Sequence, residues 1–544
     1  MKKNVIVFII IFFFTMLNLY SSPYRMILSG DPVLDDLHFL SVESGKSFIS
    51  FSPPLAQSEI INFLNNINIS DLSDAAKLAY NRIIKKLTIL PRLSWSDDYF
   101  AVFFNASAEL EGKVRFNPDI SWEPDNSKFT QLLSVPIQFF FVNRVQLYVE
   151  PTVGKRPGLK SGNDYFDMNI PADSHHFDIE YWPFRSFGAA GGSWWNFYIG
   201  RDRLFWGTGH TGSLSFSDNS TFLDFARLSF FSPVVKYSFF IIQLPLTLTD
   251  SLFPNPSQTD WSENGLEHTM QRYFYLHRLD VNLFKRLSIG LMEGVLVGNS
   301  PIEIRYLNPL IIFHSLYAWE DFGVWEPNEG SMVGSFLSAE LNLNIIKSLN
   351  IYGQFTLNQF ALRKELKSSS QPPNSLAYMA GINFTRSIKN WGSHFYLEFI
   401  YTDPYFMLLS SPFSSFIQMD YNEYNILGHS RDTMMLSFGS KFFNDNFLKL
   451  SAIFTWAAYG AHNKDGFLWD WRMNYDDGRT TRDEKTPTGI TENKLILSLG
   501  AEWNPLKWLC LKANLSGIVS LNNDHIDGNN KAGGQASLSV KIYY

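Results

Sequence analysis

The chain has 544 residues, 45% of them hydrophobic and 16% aromatic, with a formal net charge of −7. That acidic balance disfavours a nucleic-acid partner. Cys510 is the single cysteine, which excludes an intrachain disulfide framework. Beyond residue 22 no apolar run is long enough for a helical membrane span: the stretch from Ile137 to Val142 is broken by Asn143 and Arg144.

In chain order, Met1 to Ser22 reads as a secretory signal peptide. Lys2 and Lys3 supply the positive region, Val5 to Phe14 the apolar run, and Ser21 and Ser22 small residues for cleavage. No cysteine follows, which argues against an N-terminal lipid anchor. Residues 23–92 predict a small helical domain. Leu34, Leu37 and Leu40 recur at three-residue spacing before Gly45. Ile60, Ile61, Leu64 and Ile67 make a second apolar stripe, and Leu72, Ala76, Ala79, Ile83 and Leu87 a third. Ser70 and Asp71 offer caps for that third helix, and Pro91 follows its end. A segment of this size lacks a robust core of its own, so it is expected to dock on the periplasmic mouth of something larger.

From residue 93 onward the period changes to two. Phe177, Ile179 and Tyr181 flank Asp178 and Glu180; Ile302, Ile304 and Tyr306 flank Glu303 and Arg305. Phe395, Leu397, Phe399 and Tyr401 alternate with His394, Tyr396, Glu398 and Ile400. Leu495, Leu497, Leu499, Ala501 and Trp503 form another apolar face, ahead of a turn at Asn504 to Lys507. A strand with one lipid-facing and one lumen-facing side has this period. At the C-terminus Ala536, Leu538, Val540, Ile542 and Tyr544 alternate with Ser537, Ser539, Lys541 and Tyr543. Such a strand is an aggregation hazard at a free edge, and pairing last strand to first removes the edge. The pattern is also similar to the terminal signal that outer-membrane assembly machinery reads. The expected fold over residues 93–544 is therefore an all-β transmembrane antiparallel barrel in the outer membrane, with membrane lipid as a partner. At around 25 residues per strand and loop it has about 16 to 20 strands. The polar stretches 154–176, 250–271 and 461–493 are predicted as external loops.

Several residues are candidates for a site. Arg201, Asp202, Arg203 and Trp206 follow the aromatic run Trp194 to Ile199. Alternation puts Arg201 and Arg203 on the side of Trp195, Phe197 and Ile199, yet a charge at the lipid midplane costs about 2–4 kcal/mol. The strand must end near Gly200, bulge there, or turn these residues inward. They are ligand-binding candidates for sugar hydroxyls or acidic groups; the competing explanation is a structural salt-bridge network filling the lumen. Arg272, Arg278 and Asp280 share one parity and, with Glu303 and Arg305, predict a charged lumen network. That network would either tune permeation or knit the interior together. Glu293 shares parity with Ile289 and Leu291, which predicts a bulge at Gly290 or Gly294 or a place at the rim. Trp469, Asp470 and Trp471 sit in an aromatic and acidic loop that suits a glycan or its own packing. There is no HExxH, G-x-S-x-G, phosphate-binding glycine loop or multi-cysteine pattern, and Asp476-Asp477-Gly478 lacks the spacing of a calcium loop. His175-His176 lies in a polar loop. No catalytic residue, metal or cofactor is expected.

Three segments together resemble the capsule-assembly outer-membrane family Wzi. They are Asp31 to Leu37 continuing through Ser52 to Leu55; Gly200-Arg201-Asp202-Arg203-Leu204-Phe205-Trp206-Gly207-Thr208-Gly209 followed by Gly212 to Asn219; and Leu287 to Glu293 with Arg305 to Leu310 and Phe313 to Ser315. Phe205 and Thr208 depart from the family pattern, which has Trp and Pro there. The resemblance implies an 18-stranded barrel with a small helical periplasmic domain, acting without catalysis as a surface lectin for capsular or exopolysaccharide. The alternative from the residues is a porin or substrate-specific channel, with an outer-membrane enzyme or adhesin as a third class.

Overall fold

The computed structural model describes residues 24–544 except 89–92, 98, 118–119, 121–129, 143, 155–165, 171–184, 218–221, 248–268, 299–300, 314–332, 360–372, 408–416, 419–423, 426–427, 446, 465–474, 479–480 and 483. The signal-peptide segment, the predicted strand around Phe177 to Tyr181, and Trp469, Asp470 and Trp471 lie outside the described residues.

Three helices form where the 3.6-residue stripes predict them: α1 (Val33–Ser44), α2 (Gln57–Leu64) and α3 (Asp74–Thr88). Helix α1 stops at Gly45, whose φ of 69° lets its N–H close back on Ser41 and Val42. Ser70 and Asp71 do not cap α3: they belong to a 3₁₀ turn, Ile69–Asp71. Ser73 takes that place, its hydroxyl accepting from Ala76 N–H at 3.3 Å. Leu37, Leu40, Ile60, Leu64, Ala76, Ala79, Ile83 and Leu87 pack into one core between the helices.

The remainder is one large antiparallel sheet. Its hairpins close with short turns at one end, as between Thr269–Leu283 and Leu287–Gly298. Alternation is regular: Arg278 and Asp280 are buried while Leu279 between them is 39% exposed. The last strand, Lys531–Tyr543, pairs with Ser107–Phe116 from Gly534 opposite Phe116 to Tyr543 opposite Ser107. Tyr544 N–H then donates to Ala106 O at 2.9 Å. The terminal alternating strand is therefore matched by the first long one, which leaves no free edge there.

One set of alternatives is narrowed and two local expectations are corrected. Register runs unbroken through Gly200, Gly290 and Gly294, so no bulge relieves Arg201 or Glu293. Gly200 instead takes a φ of 146°, and a Cβ there would meet Ser186 O at 2.3 Å. Ile302 to Tyr306 is not a strand; Ile304–Leu307 is a 3₁₀ turn. The strand Glu492–Leu506 continues past Asn504, so the turn falls two residues later than its Asn-Pro pair suggests, with an irregular register between Trp503 and Leu506.

The helical segment docks at the short-turn end. Ser47 N–H donates to Lys285 O at 3.0 Å, Ser348 N–H to Val42 O at 2.9 Å, and Ser58 Oγ to Gly192 O at 2.9 Å. Wall cations reach into it: Lys236 pairs with Glu59 at 2.6 Å, and Arg227 donates to Pro54 O at 2.6 Å, all buried. The last-to-first seam yields a test. Removing Val540 to Tyr544 strips the partner from Ser107 to Leu110 and should produce protease-sensitive, misassembled chain. A normal heat-modifiable band on semi-native gels would show that this seam is dispensable.

Candidate functional site

The strand Trp195–Asp202 ends at Asp202, and residues 203–217 then fold into the interior. Leu204, Trp206, Leu214 and Phe216 are fully enclosed there. An inward segment without a sheet partner must place its backbone N–H groups elsewhere, since each one left unpaired away from water is costly. The walls supply the acceptors. Glu398 accepts from His210 N–H at 2.8 Å and Thr211 N–H at 3.0 Å, from the Thr211 hydroxyl, and from Tyr352 OH at 2.6 Å. Gln354 clamps the segment from both sides: its Nε2 donates to Trp206 O at 3.0 Å and its Oε1 accepts from Leu214 N–H at 2.8 Å. Trp206 N–H bonds Phe216 O at 3.0 Å, and Gly207 N–H reaches Phe51 O of the helical segment at 2.8 Å. Gly207 is required, with a φ of 109° and Gln354 Nε2 1.9 Å from where a Cβ would sit. The inward segment and the docked helices thus meet inside the barrel.

Two charge clusters flank it. Arg278 pairs with Asp280 and Glu340, each at 2.7 Å, and lies 5.5 Å from the centre of the Trp206 ring. Asp202 accepts from Arg185 at 2.6 Å, from Tyr198 OH at 3.0 Å and from Arg203 N–H at 2.7 Å. A ladder of rings, Tyr148, Phe187, Tyr198 and Phe225, stacks at 4.6–5.0 Å along the same face. These side chains fill space, as a packed core does.

Of the predicted residues, Asp202, Trp206, Arg278 and Asp280 are brought together in this filled region, and Arg272 is buried on the same face as Arg278. Arg201 and Arg203 are half-buried, and Arg203 lies 4.7 Å from the Phe222 ring centre. Glu303 and Arg305 require correction: they pair with each other at 2.6 Å and are partly exposed, away from the lumen network. The cause is packing. Tyr306 stacks on Tyr275 at 4.9 Å, and Tyr275 has the parity of outward-facing Leu279, opposite to Arg278. Glu340, Gln354, Tyr352 and Glu398 were not foreseen. Alternation places Glu398 on the polar face of its strand, but nothing local marks it as the acceptor for a segment so distant in sequence.

Cutting the network should be expensive. Arg278→Ala leaves Asp280 and Glu340 buried without their cation, a loss of about 3–5 kcal/mol. Trp206→Ala opens a cavity of similar cost, about 3–5 kcal/mol. Both variants should lose the heat-modifiable fold at lower temperature than the parent; unchanged thermal profiles would show that the interior is less tightly coupled than its contacts indicate.

The comparisons with known proteins agree with this architecture. The family model described as capsule assembly protein Wzi matches residues 123–424, more than half of the chain. No curated protein matches the sequence. Among solved structures, Wzi of Escherichia coli is similar at 12% identity over 94% of this chain and 98% of that one, with a TM-score of 0.56. That protein is described as a carbohydrate-binding β-barrel involved in group 1 capsule assembly. OprD of Pseudomonas aeruginosa matches at 9% identity over 81% of this chain and 95% of its own, with a TM-score of 0.39. The family model covers more than half of the chain, and the chain therefore belongs to the Wzi capsule-assembly family of outer-membrane β-barrels.

Proposed function

We propose that the protein holds capsular or exopolysaccharide at the cell surface as a lectin, without catalysis and without conducting solutes. The observation that carries this is the occupation of the interior by residues 203–217, clamped by Gln354 and Glu398 and joined to the helical segment through Gly207 and Phe51. A filled interior suits a scaffold for a surface site better than a conduit.

The architecture belongs to the same proposal. Among the described residues the sheet has 23 strands. The pairs Phe100–Phe104 with Ser107–Phe116, Leu133–Ser134 with Ile137–Phe141, and Val145–Glu150 with Thr152–Val153 each act as one interrupted strand. With the short flanking strands Leu93–Ser96 and Phe166–Met168 set aside, eighteen spanning strands form a closed barrel. The short-turn end faces the periplasm, as in bacterial barrels generally. Residues 23–92 form its periplasmic plug domain, 93–544 the barrel inserted by the assembly machinery, and 1–22 a cleaved signal peptide. Arg201 and Arg203 then lie toward the cell surface, and Trp469, Asp470 and Trp471 are put forward with them. These are the proposed sugar contacts, whereas buried Asp202 and Trp206 support them from beneath.

The test pairs glycan binding with planar-bilayer conductance, normalised to folded barrel. Arg203→Ala should reduce binding of the cell's own surface polysaccharide severalfold per folded molecule. Trp206→Ala should lower folded yield and binding together. Large steady conductance with no glycan binding would establish the porin alternative instead.

A further inference from the structure

The imidazole rings of one cluster inside the barrel take no part in the function proposed above. His38 on α1, His210 on the inward segment and His394 on the strand Trp391–Thr402 converge from three elements. Their ring centres form a near-regular triangle, with sides of 5.4 Å, 5.2 Å and 5.1 Å. One ligand nitrogen from each lies within 4.8 Å of the other two. Three nitrogens bound to one tetrahedral zinc stand about 3.3 Å apart. Each would move inward by less than about 1 Å, which small side-chain rotations supply.

The surroundings favour a cation ligand set over a simple packed cluster. His38 Nε2 is enclosed and has no hydrogen-bond partner among the described residues, a costly state for a buried polar atom. Asn383 Oδ1 accepts from His210 Nε2 at 2.7 Å and from His394 Nε2 at 3.0 Å. Asn383 Nδ2 donates to Asn350 Oδ1 at 3.2 Å, which sets the amide with its oxygen toward the histidines. Both rings therefore carry their proton on Nε2 and present Nδ1 as the lone-pair nitrogen. An outer acceptor that fixes the tautomer of a ligating histidine is the usual companion of a metal site. His210 is also stacked on Tyr396 at 4.1 Å, so its ring is held in place. Lys441 is the nearby cation, and it is paired with Asp35 at 3.4 Å. His394 also borders a cavity of about 230 Å³ between α1, α3 and the wall, lined on its helical side by Asp35 and Asp36. That cavity offers an approach from the short-turn end.

We propose that His38, His210 and His394 form a structural binding site for a divalent transition-metal ion of the zinc class, with Asn383 as the positioning residue. Three neutral imidazoles suit zinc and its first-row neighbours and not calcium or magnesium, which require oxygen ligands. The ion would join a plug helix, the inward segment and the wall at one point, and so pin the contents of the barrel to its side. No ligand spacing in the sequence announces it, because each histidine stands alone on its own element.

The experiment uses the full-length protein in detergent, purified without a histidine tag, stripped with a chelator and dialysed against zinc. Elemental analysis should return one tightly held zinc per chain, and cobalt(II) in its place should give the visible absorption of a tetrahedral site. Asn383→Ala should weaken zinc binding about 10–100-fold, and His210→Ala more than that. Heat-modifiable mobility reports whether each variant folds; where an alanine variant does not, His38→Gln or His210→Gln replaces it. Parent protein that retains no zinc, or folded His38→Ala/His210→Ala protein that retains as much as the parent, overturns the proposal.

Discussion

A polypeptide segment with no strand or helix of its own can be buried only where something answers its backbone N–H groups. The interior of this barrel is organised around that constraint. Residues 203–217 leave the sheet and enter the lumen, and the acceptors come from wall side chains: Glu398 for His210 and Thr211, Gln354 for Leu214. The donor side of Gln354 answers Trp206 O. Once the segment is held, its apolar residues Leu204, Trp206, Leu214 and Phe216 become the interior core. The helices then have a surface to dock against, which Gly207 meets through Phe51.

The same interior concentrates charge where water is excluded. Arg278 with Asp280 and Glu340, Arg185 with Asp202, and Lys236 with Glu59 are pairs at 2.6–2.7 Å. Ion pairs of this kind contribute little net stability over apolar packing, but each is costly to break on one side. Their effect here is on arrangement. Lys236 with Glu59 and Arg227 with Pro54 orient the helical segment on the wall. Arg278 sits beside Trp206 and ties two strands beneath it. An element docked by such pairs has one favourable seat, because any displaced position leaves a buried charge unanswered.

The proposed function rests on what the barrel is filled with. The family is that of capsule assembly, and the interior of this member is packed where a porin would keep water. The residues closest to the family pattern, around Trp206, therefore work mostly as construction. The half-buried arginines beside them, Arg201 and Arg203, are the contacts proposed for a polymer outside.

Sequence alone determined the periodicities and what they demand. The stripes of α1 to α3, the alternation of Arg278 and Asp280 against Leu279, and the terminal strand through Tyr544 all follow from local chemistry, because a helix or a strand with one buried face must repeat that face at a set interval. The Wzi resemblance was legible in Gly200 to Gly209 for the same local reason. Tertiary structure alone decided which distant residues meet. The outward seat of Tyr306 on Tyr275 moved Glu303 and Arg305 away from the lumen network, overriding their alternation. Glu398, Gln354 and Asn383 look like ordinary inward polar positions, and His38, His210 and His394 like isolated histidines. Their partners lie on other strands, and a side chain's chemistry is set by what faces it across the interior, which no local spacing encodes.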